Sequence, residues 1–196
     1  MTTPNSNTTE SLPLHNKWVL WYDNPRQAAP GASWKENLKY CGEFDTAENF
    51  WRIFNNVKPA SQLSTNSNYH IFKKGVEPMW EDPMNAKGGK WVLTIPKKES
   101  KAGRCDEWWL HTVLAVVGET LDETGDIVCG CVVSIRKSQD RIALWLRSNQ
   151  FDLAVKTGQR WKRALEVSSR TVLKYQSHQD AAASGSSFKN EVKFEV

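Results

Sequence analysis

The sequence predicts an α+β fold in which an antiparallel sheet carries helices on one face and leaves the other face free for a site. Three observations point there. Strand-like segments outnumber helical ones, hairpin connections dominate, and the helical segments carry strong apolar stripes. A chain of 196 residues is most simply one domain, with a core large enough to fold without staples. Met1 to Asn16 is rich in Thr, Asn, Ser and Pro, so 1–16 is expected to be a disordered tail and 17–196 the domain.

Lys17–Asp23 alternates bulky apolar residues and reads as a strand. Thr46–Asn55 reads as a helix, because Ala47, Phe50, Trp51 and Phe54 fall at i, i+3, i+4 and i+7; Asp45 is its expected N-cap, with Glu48 three residues on. Tyr69–Lys73 and Lys90–Ile95 are strands. Asp106–Val117 is a second helix, with Gly118 placed for a C-terminal cap. Ile127–Arg136 and Arg141–Arg147 are β-rich runs joined by a short polar turn, hence an antiparallel hairpin. Asn149–Leu165 is a third helix, and Thr171–Gln176 and Phe188–Val196 close the chain as strands. Val57–Asn68, Pro96–Arg104 and Gln179–Ser187 have loop composition.

Composition narrows the function. Mean hydropathy is −0.59, and no window approaches the roughly 18 consecutive apolar residues of a membrane span. The start of the chain lacks a charged n-region and an apolar h-region, so no secretory signal is expected. Cysteines at 41, 105, 129 and 131 match neither redox nor zinc spacing and are read as reduced thiols of a cytoplasmic protein, with room for a nuclear pool. A net charge of +4 falls short of a duplex-DNA binder but suits a ligand carrying a few phosphates.

Ten tryptophans exceed the needs of one core. Trp80 and Glu81 stand side by side in Glu77-Pro-Met-Trp-Glu-Asp82, where an indole face adjoins a carboxylate. Such a pair suits guanine, whose N1–H and N2 amine form a two-donor edge. In the predicted hairpin, Ile142, Leu144 and Leu146 point toward the helices, while Arg141, Trp145 and Arg147 point away, with Arg136 and Lys137 ending the partner strand. Such a cluster of cations is more often a solvated hairpin end than an anion site, and Trp145 on the same face strengthens the anion-site reading. Trp18, Trp21, Trp91, Trp108, Trp109 and Trp161 are assigned to packing, and Lys156, Arg160 and Arg163 to a solvated helix face.

At this point the chain resembles the eukaryotic translation initiation factor 4E family, which binds the methylguanosine cap at the 5′ end of mRNA. The resemblance is carried by Lys17-Trp-Val-Leu-Trp21, Phe44-Asp-Thr46 with Phe50-Trp51, Gly75-Val-Glu-Pro-Met-Trp-Glu-Asp82, Gly88-Gly-Lys-Trp91, Val117-Gly-Glu119, Val128-Cys-Gly130, Ile142-Ala-Leu-Trp145 and Tyr175-Gln-Ser-His178, in that order. It implies a curved sheet of about eight antiparallel strands, three helices on the convex face and a cap slot on the concave side. Trp34, by its place in Ser33-Trp-Lys-Glu-Asn-Leu38, and Trp80 would sandwich the methylated base. Glu81 would read the guanine edge, Trp145 would lie against the N7 methyl, and Lys90, Arg136 and Arg141 would hold the phosphates. Lys90 departs from the arginine common in the family. The competing reading buries Trp34 in the core and leaves Trp80 capping a strand beside solvated carboxylates.

The resemblance also implies a second surface. Ala47, Trp51, Leu110, Leu114 and Gly118 would receive a helix from the initiation scaffold factor 4G, or from a 4E-binding repressor with a Tyr-x-x-x-x-Leu-hydrophobic motif. The competing reading lets Trp51 and Leu114 fill the helix–sheet interface. His111 stands where many members have glutamate. Ser186 falls in a loop near the cap's second nucleotide, at a position that some members phosphorylate. The expected function is cap binding with recruitment of mRNA to translation initiation, the alternative being a cap-binding repressor. No enzyme is expected, since no nucleophile–base pair or phosphate-cradling glycine loop is present. Neither metal nor cofactor is implied, and the partners are capped mRNA and these proteins, not DNA or membrane.

Overall fold

The computed structural model describes residues 11–31, 33–185 and 190–196. Eight strands are found among them: β1 (Pro13–Asp23), β2 (Lys39–Thr46), β3 (Asn68–Lys73), β4 (Gly89–Pro96), β5 (Val128–Ser134), β6 (Gln139–Leu146), β7 (Lys174–Ser177) and β8 (Phe194–Glu195). They form one sheet in the order β2-β1-β3-β5-β6-β4-β7-β8, with every neighbouring pair antiparallel. The helices are α1 (Trp34–Asn37), α2 (Ala47–Phe54), α3 (Lys97–Lys101), α4 (Arg104–Val117), α5 (Phe151–Ala164) and α6 (His178–Ser184). The expected α+β class holds, with six helices in place of three.

The three expected helices are α2, α4 and α5, and they supply the helical side of the main core. Phe50 of α2, Trp108, Trp109, Val113 and Val116 of α4, and Trp161 of α5 are buried against Trp18, Ile71, Trp91, Leu93, Ile142 and Leu144 of the sheet. Buried indole N–H groups need acceptors. Trp91 Nε1 donates to the Ala154 carbonyl at 2.8 Å, and Trp161 Nε1 donates to Thr112 Oγ1 at 3.0 Å, so two tryptophans tie α5 to the sheet and to α4. The packing assignment thus holds for five of the six named tryptophans. Trp21 differs: it pairs across strands with His70 on the opposite face and meets Tyr40 edge-on.

Several local expectations need correction. The expected tail overlaps β1, which starts at Pro13 because Pro13 pairs with Thr46 of β2; residues 1–10 lie outside the described ones. Thr46, not Asp45, caps α2 by accepting from the Asn49 N–H. Gly118 closes α4 with an ordinary right-handed φ of −81°, and Glu119 takes the left-handed conformation at φ 52°. Two expected loops contain the single-turn helix α3 and the short helix α6. The last strand shrinks to Phe194–Glu195, while Ser186 and Phe188 lie outside the described residues. No described helix is long and apolar enough to cross a membrane.

Candidate functional site

The face opposite α2, α4 and α5 holds a cavity of about 670 Å³. Alternation within the strands builds its floor. On β6, Ile142, Leu144 and Leu146 go to the core, while Arg141, Ala143 and Trp145 face the cavity; β3 turns Asn68 and His70 the same way. Arg147 lies beyond β6 and does not line it. Trp34, Trp80, Glu81, Lys90, Arg136, Arg141 and Trp145, singled out from scattered positions in the sequence, all line this one cavity.

Each wall is positioned by identifiable local chemistry. Trp34 is the first residue of α1, and Ser33 starts that helix with a capping box: its hydroxyl accepts from the Glu36 N–H while the Glu36 carboxylate accepts from the Ser33 N–H. Trp80 stands on the connection between β3 and β4, which is held from inside. Buried Asp82 accepts from the Glu77 and Met84 N–H groups at 2.9 and 2.8 Å, and the Asn85 amide donates to the Glu77 and Met79 carbonyls. Asp82 is therefore a strut and not the solvated carboxylate of the competing reading. Trp80 packs on a second apolar cluster of Phe72, Val76, Cys129, Val132 and Trp145. Both indoles remain half-buried, so neither is a core residue. An exposed ion pair, Lys35 Nζ to Glu77 Oε1 at 2.5 Å, links the segment bearing Trp34 to the one bearing Trp80.

Glu81 is exposed, and its carboxylate accepts from Trp80 Nε1 at 2.5 Å, which turns carboxylate and indole toward each other. Trp145 is buried, edge-on to Phe72 on one side and 4.2 Å from the His178 ring on the other. His178 is fully enclosed. Burial, aided by Lys90, pushes it down to about 3, so it stays neutral and serves as a flat backing for the indole. Lys90 sits 5.9 Å from the Trp145 ring centre, and burial, then the neighbouring Arg141 charge, pushes its ammonium down to about 8. Burial also lowers Arg136 and Arg141 from the ordinary guanidinium value, though both remain charged. Arg136 is fixed by the Ile135 carbonyl at 2.9 Å and Asn68 Oδ1 at 2.7 Å. The cations at the hairpin end thus border a cavity and are not a purely solvated cluster.

Sequence reasoning missed the residues that hold these groups. Buried Asp140 accepts from the Arg136 backbone N–H, from Lys97 Nζ and from Ser100 Oγ, tying the hairpin to α3. Asp23, Asn68 and His70 line the floor. Their only signal in the sequence is a polar residue at alternate positions of otherwise apolar strands. On the helical side, Trp51 and Leu114 are each 39% exposed, which a filler of the helix–sheet interface would not be. Ala47, Leu110 and His111 are half-buried and Gly118 is exposed. Among the described residues, no group of three or more His, Cys, Asp or Glu side chains could hold a metal ion.

What the arrangement can do is clamp a flat, electron-poor ring between indoles and hold an anionic chain beside it. The sequence profile of eukaryotic initiation factor 4E matches residues 13–193. Eukaryotic translation initiation factor 4E-1A of Danio rerio is 40% identical over 181 residues, covering 91% of this chain and 82% of the relative. Initiation factor 4E-3 of Caenorhabditis elegans, solved with the 4E-binding protein Mextli and a cap analogue, superposes with a TM-score of 0.84 at 34% identity over 95% of this chain and 100% of that one. The Ascaris suum 4E-3 complex with the m2,2,7G cap gives 0.84 at 33% identity over 95% and 99%. Given this likeness along nearly its whole length, the chain belongs to the eukaryotic initiation factor 4E family.

Proposed function

We propose that this protein binds the 7-methylguanosine cap of mRNA and, through its helical face, joins the capped message to the translation initiation machinery. One observation carries the reading: two half-buried indoles, an exposed carboxylate and three cations line a single cavity on the open face of the sheet. Methylation at N7 makes guanine a cation, so stacking gains about 2 kcal/mol of cation–π attraction at each of the two indoles, Trp34 and Trp80, once water is excluded. Glu81 accepts from N1–H and N2–H and balances the ring's charge. Trp145 packs against the methyl group, while Lys90, Arg136 and Arg141 neutralise the phosphates. Nothing in this reading requires a reaction. A tryptophan-fluorescence titration with methylated and unmethylated guanosine triphosphate tests it; tighter binding of the methylated form is expected, and equal affinity counts against it.

Lys90 makes this binding pH-dependent in a defined direction. Its ammonium is held down to about 8, whereas a phosphate chain beside it favours the charged form. Above pH 8 the free protein must therefore take up a proton at Lys90 on binding, and affinity falls as pH rises. Lys90→Arg stays charged throughout. The ratio of wild-type to variant affinity for methylated guanosine triphosphate is expected to fall by about tenfold between about pH 7 and pH 9, the consequence of one proton bound per ligand. The base's own titration is common to both proteins and drops out. For the free fold the sign is opposite: burying the ammonium costs stability below pH 8, and this cost is relieved as pH rises from about 8 toward 10.5.

The helical face is read as the docking site for an amphipathic helix with a Tyr-x-x-x-x-Leu-hydrophobic motif, from scaffold factor 4G or a 4E-binding repressor. Exposed aromatic anchors dominate such interfaces, so Trp51→Ala is expected to weaken a motif peptide by about 30-fold or more in calorimetry, with cap affinity unchanged. Half-buried His111 on the same helix as Leu114 favours weighing the repressor alternative, because it cannot accept from a partner arginine as a carboxylate would. Pull-down of the scaffold factor supports the initiation role; capture of repressors alone supports the alternative.

A further inference from the structure

Beneath the slot lies a polar chain to which the cap-binding reading gives no task. Asp23 ends β1, is fully buried, and stands opposite Asn68 in the β1–β3 pairing. Its Oδ1 accepts from His70 Nε2 at 2.6 Å and from Asn68 Nδ2 at 2.8 Å. Because a carboxylate only accepts, Nε2 of His70 carries the proton. Outward from this centre, the His70 ring meets Trp34 edge-on, with centroids 5.9 Å apart at 78°. In the other direction Asn68 Oδ1 accepts from Arg136 Nη2 at 2.7 Å. Asp23 Oδ2 and His70 Nδ1 are buried with no hydrogen-bond partner among the described residues.

We propose that Asp23, His70 and Asn68 form a positioning relay along the slot floor, which fixes the Trp34 indole at one end and the Arg136 guanidinium at the other. The two walls of the slot differ in their support. Trp80 packs on an apolar cluster, whereas Trp34 belongs to neither apolar cluster of the described residues and stands at the start of a four-residue helix. A helix that short cannot hold its first side chain by itself. The His70 ring supplies the missing hold from the sheet, and Asp23 orients that ring. Through Asn68 the same carboxylate sets the direction of Arg136, so the groups for base and phosphate are arranged by one buried anion. Preorganisation of this kind lowers the ordering cost of binding without touching the ligand.

The relay's use rests on the cap-binding reading, but its existence can be tested without ligand. His70→Gln keeps a donor that can reach Asp23 and removes the ring. In the free ¹⁵N-labelled protein, the Trp34 indole N–H signal is expected to shift and lose order while that of Trp80 stays in place; an unchanged Trp34 signal overturns the proposal. In titrations, His70→Gln should weaken 7-methylguanosine and its triphosphate alike by about fivefold, within the usual coupling of contacting residues, and by less than about twofold when placed in a Trp34→Ala background. Asn68→Ala should weaken the triphosphate by about fivefold and leave the nucleoside unaffected. An undiminished His70→Gln penalty without Trp34 overturns the relay even if the cap is bound. Absence of any preference for the methylated base removes the functional reading instead, and the indole spectrum still decides the relay. Should His70→Gln melt far below wild type, Asp23→Asn keeps the shape and one acceptor oxygen. It should move the Trp34 indole signal and spare that of Trp80, and a Trp34 signal left in place overturns the relay there too.

Discussion

Trp80→Ala is expected to weaken binding of methylated guanosine triphosphate by about two to three and a half orders of magnitude while leaving the fold intact. Stacking of a base on an aromatic side chain contributes about 1–3 kcal/mol. The positive charge of the methylated ring adds about 2 kcal/mol in a site closed to water. Together they amount to about 3–5 kcal/mol, at about 1.4 kcal/mol per tenfold. The loss has a second component, because Glu81 now holds its carboxylate toward the indole through the Trp80 Nε1 bond and would lose that guide. Stability changes less, since Trp80 is half-buried at the margin of the smaller apolar cluster. The informative quantity is the ratio between bases. Unmethylated guanosine triphosphate stacks without the charge, so its affinity should drop by about 30-fold less, the equivalent of the cation–π part. Titration of both ligands against both proteins measures this directly. Equal losses would mean that the slot reads a flat ring and not a cationic one. Lys156→Ala on the outer face of α5 is the matched control and should change neither ligand.

How far this was legible in the sequence depends on the length scale of each signal. Long amphipathic stretches announced themselves: the apolar stripe over Ala47, Phe50 and Phe54 became α2, and the alternation around Trp145 became β6. Trp80, Glu81, Arg136, Arg141 and Trp145 stood out because aromatic, acidic and basic side chains in such settings need a reason to be there, Trp34 and Lys90 were reached only through the family resemblance, and all seven line the same cavity. Elements of one turn were missed, since α1 and α3 have four and five residues, too few for periodicity to register. Edge strand β2 was missed for another cause. Lys39, Tyr40 and Cys41 are exposed, so no buried face imposed alternation there. The extension of β1 back to Pro13 exists only through its pairing with Thr46, a contact between residues far apart in the chain. The supports of the slot were hidden for the same reason. Asp23, Asn68 and His70 are unremarkable one by one, and only the register of β1 against β3 makes them neighbours.

Gly88→Ala is expected to cost more stability than any surface change and to disable the slot along with the fold. A Cβ at Gly88 would stand 1.8 Å from the Leu146 carbonyl oxygen and 2.8 Å from the Arg147 carbonyl carbon. Both obstacles are backbone, so no rotamer change relieves the clash. The chain must move, and what moves is the start of β4, where Gly89 pairs with Leu146 and Lys90 with Trp145. On its other side β4 is pinned as well: the His178 N–H donates to the Gly88 carbonyl at 3.0 Å, and a Cβ on Gly89 would meet the Gln176 carbonyl at 2.4 Å. The glycine pair thus lets β4 lie close between β6 and β7, and the Gly-Gly-Lys-Trp motif is first a packing requirement. A forced separation of this kind costs about 3 kcal/mol or more. For a domain of this size that lowers the melting temperature by about 6–12 °C. Gly103→Ala is the contrasting variant. Its φ of 92° is left-handed, yet nothing lies within 4 Å of the added carbon, so only backbone strain of about 1–2 kcal/mol applies. Thermal melts should rank Gly88→Ala well below Gly103→Ala, and cap affinity should fall only in the former, because Lys90 and Trp145 ride on the displaced strands. Equal melting temperatures for the two variants would show that the β4–β6 approach can relax, and that the motif's glycines owe their place to something other than close packing.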